Sequence, residues 1–447
     1  MSDLRGNKGL GLSGQLKQKL IQQALQRKLQ QGERAAAQPI TPTSRAVDEK
    51  LCRFDQLPGY LQLKLLHRGG EQLGVTSPFF RVHQGVAGAT TQIGERQMVN
   101  YASYNYLGFS GDARVNQAAK EAVDRYGTSV SASRPVAGER PIHRELEQTL
   151  AELYEVDDAV VFVSGHATNV STIGHLFGSR DLILHDELVH NSALVGAQLS
   201  GAKRRAFPHN DLAALEALLQ QLRGQFERVL IVVEGLYSMD GDYPDLPRLV
   251  ELKQRFGCFL MVDEAHSLGV MGKSGLGIRE HFGVAGRAVD IWMGTLSKTL
   301  AGCGGYIAGE SALVEHLKFL APGFLYSVGI PAQVAAPALK ALQLMLDEPE
   351  RVTQLQQRCE YFCATARQAG FDVGDARGLA VIPIITGSSL KAAQLSERLL
   401  EEGINVQPIL YPAVPESSAR LRFFITCEHT EAQIDATLLS LQQRWDS

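Results

Sequence analysis

Two stretches decide the fold: Phe259-Leu260-Met261-Val262-Asp263 and Ile291-Trp292-Met293-Gly294-Thr295-Leu296-Ser297-Lys298. Each opens with a short apolar run and breaks off in polar, chemically active residues. Runs apolar on both faces read as strands buried on both sides, the signature of a parallel sheet covered by helices. Working outward, Ala159–Val163, Leu182–Leu184, Val229–Val233 and Tyr306–Ala308 repeat the pattern, with helical stretches between them. The predicted fold class is therefore α/β, with a mostly parallel central sheet and helices on both faces. In such sheets the loops at the carboxyl ends of strands build the active site. The runs end in Ser164-Gly165-His166, His185-Asp186, Glu234-Gly235, Asp263-Glu264-Ala265-His266 and Thr295–Lys298, so chemistry is expected there.

The rest of the chain divides by texture. Residues 1–50 read as a helical arm and linker: Leu16, Leu20, Leu25 and Leu29 recur at helical spacing, and Gly32 to Arg45 is rich in Ala, Pro, Thr and Gln. This arm reads as a docking element or as an extension that packs on the main body. Residues 51–100 form a segment expected to pack on the small domain, 101–330 a large domain, and 331–447 a smaller α+β domain. The last holds strands near Ala380–Ile385 and Arg420–Ile425 and a final helix from Thr430, where Gln433 completes a capping box. The G-x-G-x-x-G at Gly9, Gly11 and Gly14 is no dinucleotide fingerprint, because no buried strand precedes it.

Composition excludes several classes. The chain has 447 residues, 45% hydrophobic and 21% charged, enough for more than one minimal core. A net charge of −4 gives no basic footprint for nucleic acid. Cys52, Cys258, Cys303, Cys359, Cys363 and Cys427 are too scattered for a disulfide framework. Cys359 and Cys363 share a helical face without the further ligands a zinc site needs, so no metal is expected. No run is long enough to span a bilayer and no signal-peptide core precedes the chain, so a cytoplasmic protein with no membrane contact is expected.

Asp263 is carried to a strand tip in apolar surroundings. It would suit a heteroaromatic cation such as a protonated pyridine nitrogen, although a helix N-cap is the plainer use of Asp there. Lys298 beside a strand end should be partly desolvated, which frees its amine as a nucleophile. The solvated loop lysine is the alternative, but the glycine-rich turn Ala301-Gly302-Cys303-Gly304-Gly305 permits close backbone approach to a ligand. A serine acyl-enzyme reading of the T-x-x-K string lacks its S-D-N and K-T-G companions. Ser164-Gly165-His166 opens a helix after a strand, a natural anion site. His190 could stack on a flat cofactor or be a hydrogen-bonded structural residue.

Taken together, Ser103–Phe109, Asp186–Ser192, Glu234–Gly241, Val262–Gly269 and Gly294–Lys298 resemble the α-oxoamine synthase family of fold-type I enzymes dependent on pyridoxal 5′-phosphate (PLP). The resemblance runs from about Phe54 to the C-terminus. Ser103–Phe109 and Leu199–Ala202 look most like serine palmitoyltransferase, and Arg134–Glu139 with the extended N-terminus look like members that work with polyketide synthases. The resemblance implies that Lys298 carries the cofactor and Asp263 pairs with its pyridine nitrogen. His190 would stack on the ring, with His266 and Ser238 near the phenolic oxygen. Ser164, Gly165, His166 and Thr295 would hold the phosphate. Arg422 would anchor the substrate carboxylate, a task that suits a bidentate guanidinium, with Tyr104, Asn105 and Ser131 on the substrate side. Three positions depart from the family pattern: Tyr104 replaces an Asn, His166 a Phe, and Val328 a Thr that reaches the phosphate from a partner subunit, with Ser327 adjacent.

The expected activity is decarboxylative condensation of glycine, alanine or serine with an acyl thioester, carried by coenzyme A or an acyl carrier protein, to an α-amino ketone. A homodimer with shared active sites is implied, with a polyketide synthase as a possible partner. The rival readings are a PLP aminotransferase and a non-catalytic partner subunit of a synthase; the presence of Lys298, Asp263 and His190 speaks against the latter.

Overall fold

The computed structural model describes residues 48–72 and 77–445. The heptad-like leucines 16–29 and the linker expectation lie outside the described residues. The chain divides into two units, Met1–Phe79 and Phe80–Ser447. In the first, two short 3₁₀ turns lead to the helix Pro58–Gln72, begun by a proline whose fixed φ suits a helix start.

The second unit opens with β1 (His83–Gln84), β2 (Thr90–Ile93) and β3 (Arg96–Asn100), an antiparallel meander. The main sheet follows, with β4 (Asp158–Phe162), β5 (Leu182–Asp186), β6 (Lys203–Phe207), β7 (Val229–Glu234), β8 (Phe259–Asp263), β9 (Ile291–Thr295) and β10 (Gly305–Gly309). Their order is β4-β10-β9-β8-β7-β5-β6, and only β10 runs against its neighbours. Neighbouring residues of one strand enter two separate apolar clusters. Leu182, Leu184, Ile231, Leu260, Val262 and Trp292 belong to one, and Ile183, Leu230, Val232, Met261, Ile291 and Met293 to the other. Successive strand side chains point to opposite faces, so continuous apolar runs are what a sheet buried on both sides requires.

One strand escaped the sequence reading. β6 is Lys203-Arg204-Arg205-Ala206-Phe207, and all but the last residue are exposed. It lies at the sheet edge, where charge blocks further strand addition and erases the apolar signal.

The C-terminal part contains β11 (Val381–Ile385), β12 (Ile404–Asn405), β13 (Gln407–Ile409) and β14 (Arg420–Phe424). β11, β14 and β13 form a three-stranded antiparallel sheet, while β12 joins β3 in parallel. The last helix, Glu431–Arg444, has the expected capping box between Thr430 and Gln433. Cys359 and Cys363 are core residues, buried on the helix Glu350–Gln368. Among the described residues no helix is long and apolar enough to cross a membrane.

Candidate active site

Lys298 lies in the loop 296–304 that turns β9 into β10. The loop is closed by Leu296 N–H donating to Gly304 O (2.9 Å) and Gly302 N–H to Leu296 O (2.8 Å). Leu296, Thr299 and Leu300 are buried around it, and the Thr299 hydroxyl donates to Leu268 O (2.7 Å). The lysine is thus fixed by its neighbours, while its own Nζ makes no hydrogen bond among the described residues and stands 5.8 Å from the centroid of the Tyr104 ring. Burial lowers its pKa to about 8, against the opposing pull of Asp263 and Glu234. An amine in that state gives up its proton far more readily near neutrality than an ordinary lysine, and in its neutral form can act as nucleophile or base.

Asp263 closes β8, and Glu234 stands beside it in register at the end of β7. The Asp263 carboxylate accepts one hydrogen bond on each oxygen. Oδ1 accepts from Ala265 N–H (3.0 Å), a local capping contact, and Oδ2 accepts from Asn169 Nδ2 (2.9 Å). Asn169 also donates to Ser192 Oγ (2.9 Å), which contacts His190 Nδ1 (2.7 Å). Ser192 N–H also points at His190 Nδ1 (3.3 Å). A backbone N–H can only donate, so Nδ1 is an acceptor and the neutral ring carries its proton on Nε2. Burial keeps the imidazole below the usual pKa. One hydrogen-bonded chain therefore links the strand-end carboxylate to His190, an exposed residue.

The helix start expected to take an anion is present. Ser164 caps the helix Gly165–Leu176, its hydroxyl accepting from Ala167 N–H (3.4 Å). The amides of Gly165 and His166 belong to the first turn, where no intrahelical acceptor exists. A Cβ at Gly165 would stand 3.0 Å from Thr295 Oγ1, so glycine permits the helix to meet the β9 end closely. His166 is exposed and edge-on to His190, with ring centroids 6.4 Å apart.

Opposite these groups, Tyr104, His266, Phe424 and Arg422 form an aromatic and cationic wall. His266 Nδ1 shares a hydrogen bond with the buried Tyr106 hydroxyl (2.8 Å) and lies parallel to Phe424. Burial, then the nearby cations Lys298 and Arg422, holds it well below the usual histidine pKa, so it is neutral. Arg422, central in the three-stranded sheet, donates through Nη1 to Ser238 O (3.0 Å) and packs over Phe424 (4.6 Å). Its Nε is buried without a partner among the described residues. A buried N–H left unpaired is costly, and a carboxylate would satisfy it.

Three further residues make local contacts of their own. The Asn105 amide is fully used on the backbone of Ser110, accepting at 2.9 Å and donating at 3.1 Å, so it clamps its own loop. Ser131 is exposed with a left-handed φ of 53°, and its N–H donates to Ser129 Oγ (3.0 Å). Ser327 donates to the neighbouring Val328 O (3.2 Å), and Val328 is exposed. Sequence reasoning overlooked Asn169 and Glu234. Glu234 is buried beside Asp263 with Oε1 unpartnered among the described residues, and burial followed by the Asp263 charge raises its pKa to about 8. Its place at a strand end was the available signal.

Comparison with known proteins agrees with this geometry. The protein-family model described as aminotransferase class I and II matches residues 96–441. An 8-amino-7-oxononanoate synthase from Symbiobacterium thermophilum is 44% identical over 343 residues, 77% of this chain and 87% of the relative. Another from Fervidobacterium nodosum is 41% identical, spanning 80% of this chain and 91% of its own. A solved serine palmitoyltransferase with PLP superposes with a TM-score of 0.83 at 29% identity, covering 87% of this chain and 98% of that one. The Sphingomonas wittichii serine palmitoyltransferase gives 0.82 at 28%, with 86% and 96% coverage. The sheet is that of a fold-type I PLP enzyme, and the chain belongs to the aminotransferase class I and II family as a PLP-dependent C-acyltransferase of the α-oxoamine synthase group.

Proposed function

We propose that this chain condenses a small α-amino acid with an acyl thioester, releasing CO₂ and the thiol and giving an α-amino ketone. The observation that carries the reading is the pairing, across the Tyr104–Phe424 wall (ring centroids 5.0 Å), of Lys298 with Arg422: among the described residues the lysine amine has no hydrogen-bond partner and the buried arginine Nε has none. One group suits a proton at Cα, the other a carboxylate. The name of the 44% and 41% relatives describes an α-amino ketone with a methyl group beside the amino carbon, the pattern alanine would leave.

The residues present fit PLP. Asp263 would face the pyridine nitrogen, His190 would cover one face of the ring, and His266 and Ser238 would lie toward the phenolic oxygen. The Gly165 and His166 amides, with Ser164 and Thr295, would take the phosphate. When bound, the cofactor supplies an electron sink for the pair released at Cα. Arg422 would hold the amino acid carboxylate in a bidentate fork and so orient Cα toward Lys298. Lys298, displaced and neutral, removes the Cα proton, and it later returns a proton to the same carbon after the C–C bond forms and CO₂ departs. Glycine, alanine and serine all fit this scheme, as do coenzyme A and an acyl carrier protein as thiol carriers. A homodimer with shared sites belongs to the same proposal, as does a polyketide synthase partner.

The test is a screen of glycine, L-alanine and L-serine against acyl-coenzyme A and acyl-carrier donors, following CO₂ and free thiol. Equimolar release of both with one amino acid is the expected result. A keto acid formed without CO₂ would establish the aminotransferase instead.

A further inference from the structure

Away from the reacting groups, a second charged cluster lies where β5, β6 and β7 end. His209 follows β6 and bridges two acids, with Nδ1 2.9 Å from Asp186 Oδ1 and Nε2 2.8 Å from Asp242 Oδ2. Both nitrogens face carboxylate acceptors, so both carry protons and the ring is an imidazolium. Asn210 supports the bridge at both ends, its N–H donating to Asp186 Oδ2 and its Nδ2 to Asp242 Oδ2, each at 2.8 Å. The Tyr237 ring stands perpendicular to the imidazole, centroids 4.5 Å apart.

The two acids begin and end turns that matter. Asp186 Oδ1 accepts from Leu188 N–H (2.9 Å) and its carbonyl from Val189 N–H (3.3 Å), shaping the turn that delivers His190. Asp242 closes the turn 237–242 through Tyr237 N–H to Asp242 O (2.9 Å). That turn supplies Ser238 O to Arg422 and Met239 O to Arg420 (2.8 Å). Gly241, at φ +70°, lies so close to Val381 O that a Cβ would stand 1.9 Å from it, so the turn has no slack on that side.

We propose that His209 is a positioning residue, locking the turn that presents His190 to the turn that carries Ser238 and backs Arg422. It touches no reacting atom. Its effect passes through the two aspartates, and only the expected loss of amino acid affinity rests on the condensation reading.

The experiment uses holoenzyme with His209→Ala, His209→Gln and His209→Asn. Three quantities are measured: the rate of PLP loss on dialysis, the visible circular dichroism of the bound cofactor, and absorbance titrations with glycine, L-alanine and L-serine. His209→Ala should release PLP faster and bind the amino acid more weakly, each by about tenfold, as for other groups that orient a binding residue. Gln places a donor where Nε2 was and keeps the Asp242 contact, so it should regain most of the amino acid affinity. Asn mimics Nδ1, keeps the Asp186 contact and should regain cofactor retention instead. Variants that lose thermal stability but keep the dichroism, retention and affinity of the wild type overturn the proposal. Should the Ala variant not fold, the Gln and Asn pair decides by the same readings. Wild-type holoenzyme that answers none of the three amino acids would count against the condensation reading, while cofactor retention would still decide the role of His209.

Discussion

Asp186 and Asp263 each close a buried parallel strand, two places apart in one sheet, yet the structure uses them in opposite ways. Asp186 is spent: its oxygens take Leu188 N–H, Asn210 N–H and the His209 imidazolium. Asp263 takes two neutral donors, Ala265 N–H and Asn169 Nδ2, while the cation whose field it shares, Lys298, is held by no hydrogen bond among the described residues. A buried carboxylate matched by a cation of its own chain is closed to a ligand. One whose cation is left free keeps its charge available. The type of residue at a strand end therefore says little until the partner across from it is known.

The strongest way to break the comparison is to remove the free cation. Lys298→Ala should cut turnover by more than about 10³-fold and let PLP dialyse away, since nucleophile and proton carrier vanish together. Retained turnover in a CO₂-release assay would undo the site assignment. Exchanging the two acids separates their roles. Asp263→Asn should lower kcat/KM by about 10²–10⁴-fold at nearly unchanged Tm. Asp186→Asn should instead cost several degrees in Tm, because it breaks a buried charged contact, with kcat/KM falling only about tenfold. Equal effects in the two variants would erase the distinction.

Asn169→Ala tests the chain between Asp263 and His190 and should cost about 10–100-fold in kcat/KM, typical of a group that orients a binding residue. The next effect is in pH. With its pKa at about 8, the neutral Lys298 amine grows as pH rises through that value, so stripped protein should reload PLP about tenfold faster near pH 9 than near pH 7 and level off above. A rate still climbing past pH 10 would mark an ordinary lysine.

The smallest effect concerns His209. Burial opposes its charge, but Asp186 and Asp242 overcome this and raise its pKa to about 10 from 6.5. A raised histidine pKa means the folded state binds the proton more tightly, so its stabilisation is full below about pH 6.5 and is lost as pH rises towards about 10. The Tm gap between wild type and His209→Gln should narrow over that window. A gap constant with pH would show that the bridge is not charged.

Much of this was legible in the sequence. The both-face apolar runs gave six of the seven main strands, and their polar ends named Lys298, Asp263 and the Ser164-Gly165-His166 turn. β6 was missed because an edge strand carries charge on the faces that elsewhere carry the apolar signal. The Asn105 amide bonds the Ser110 backbone, a contact the motif did not announce, since a motif position records a residue type and not the direction of its amide.

The sequence by itself determined which segments are strands and which residues stand at their carboxyl ends, because burial on two faces imposes a local, periodic pattern. Only the tertiary structure decided which of those residues are closed and which are open. Asn169 meets Asp263 across 94 positions, His209 meets Asp242 across 33, and Arg422 meets Ser238 across 184. A hydrogen bond between segments so distant has no period along the chain, and its presence or absence sets Lys298 apart from His209.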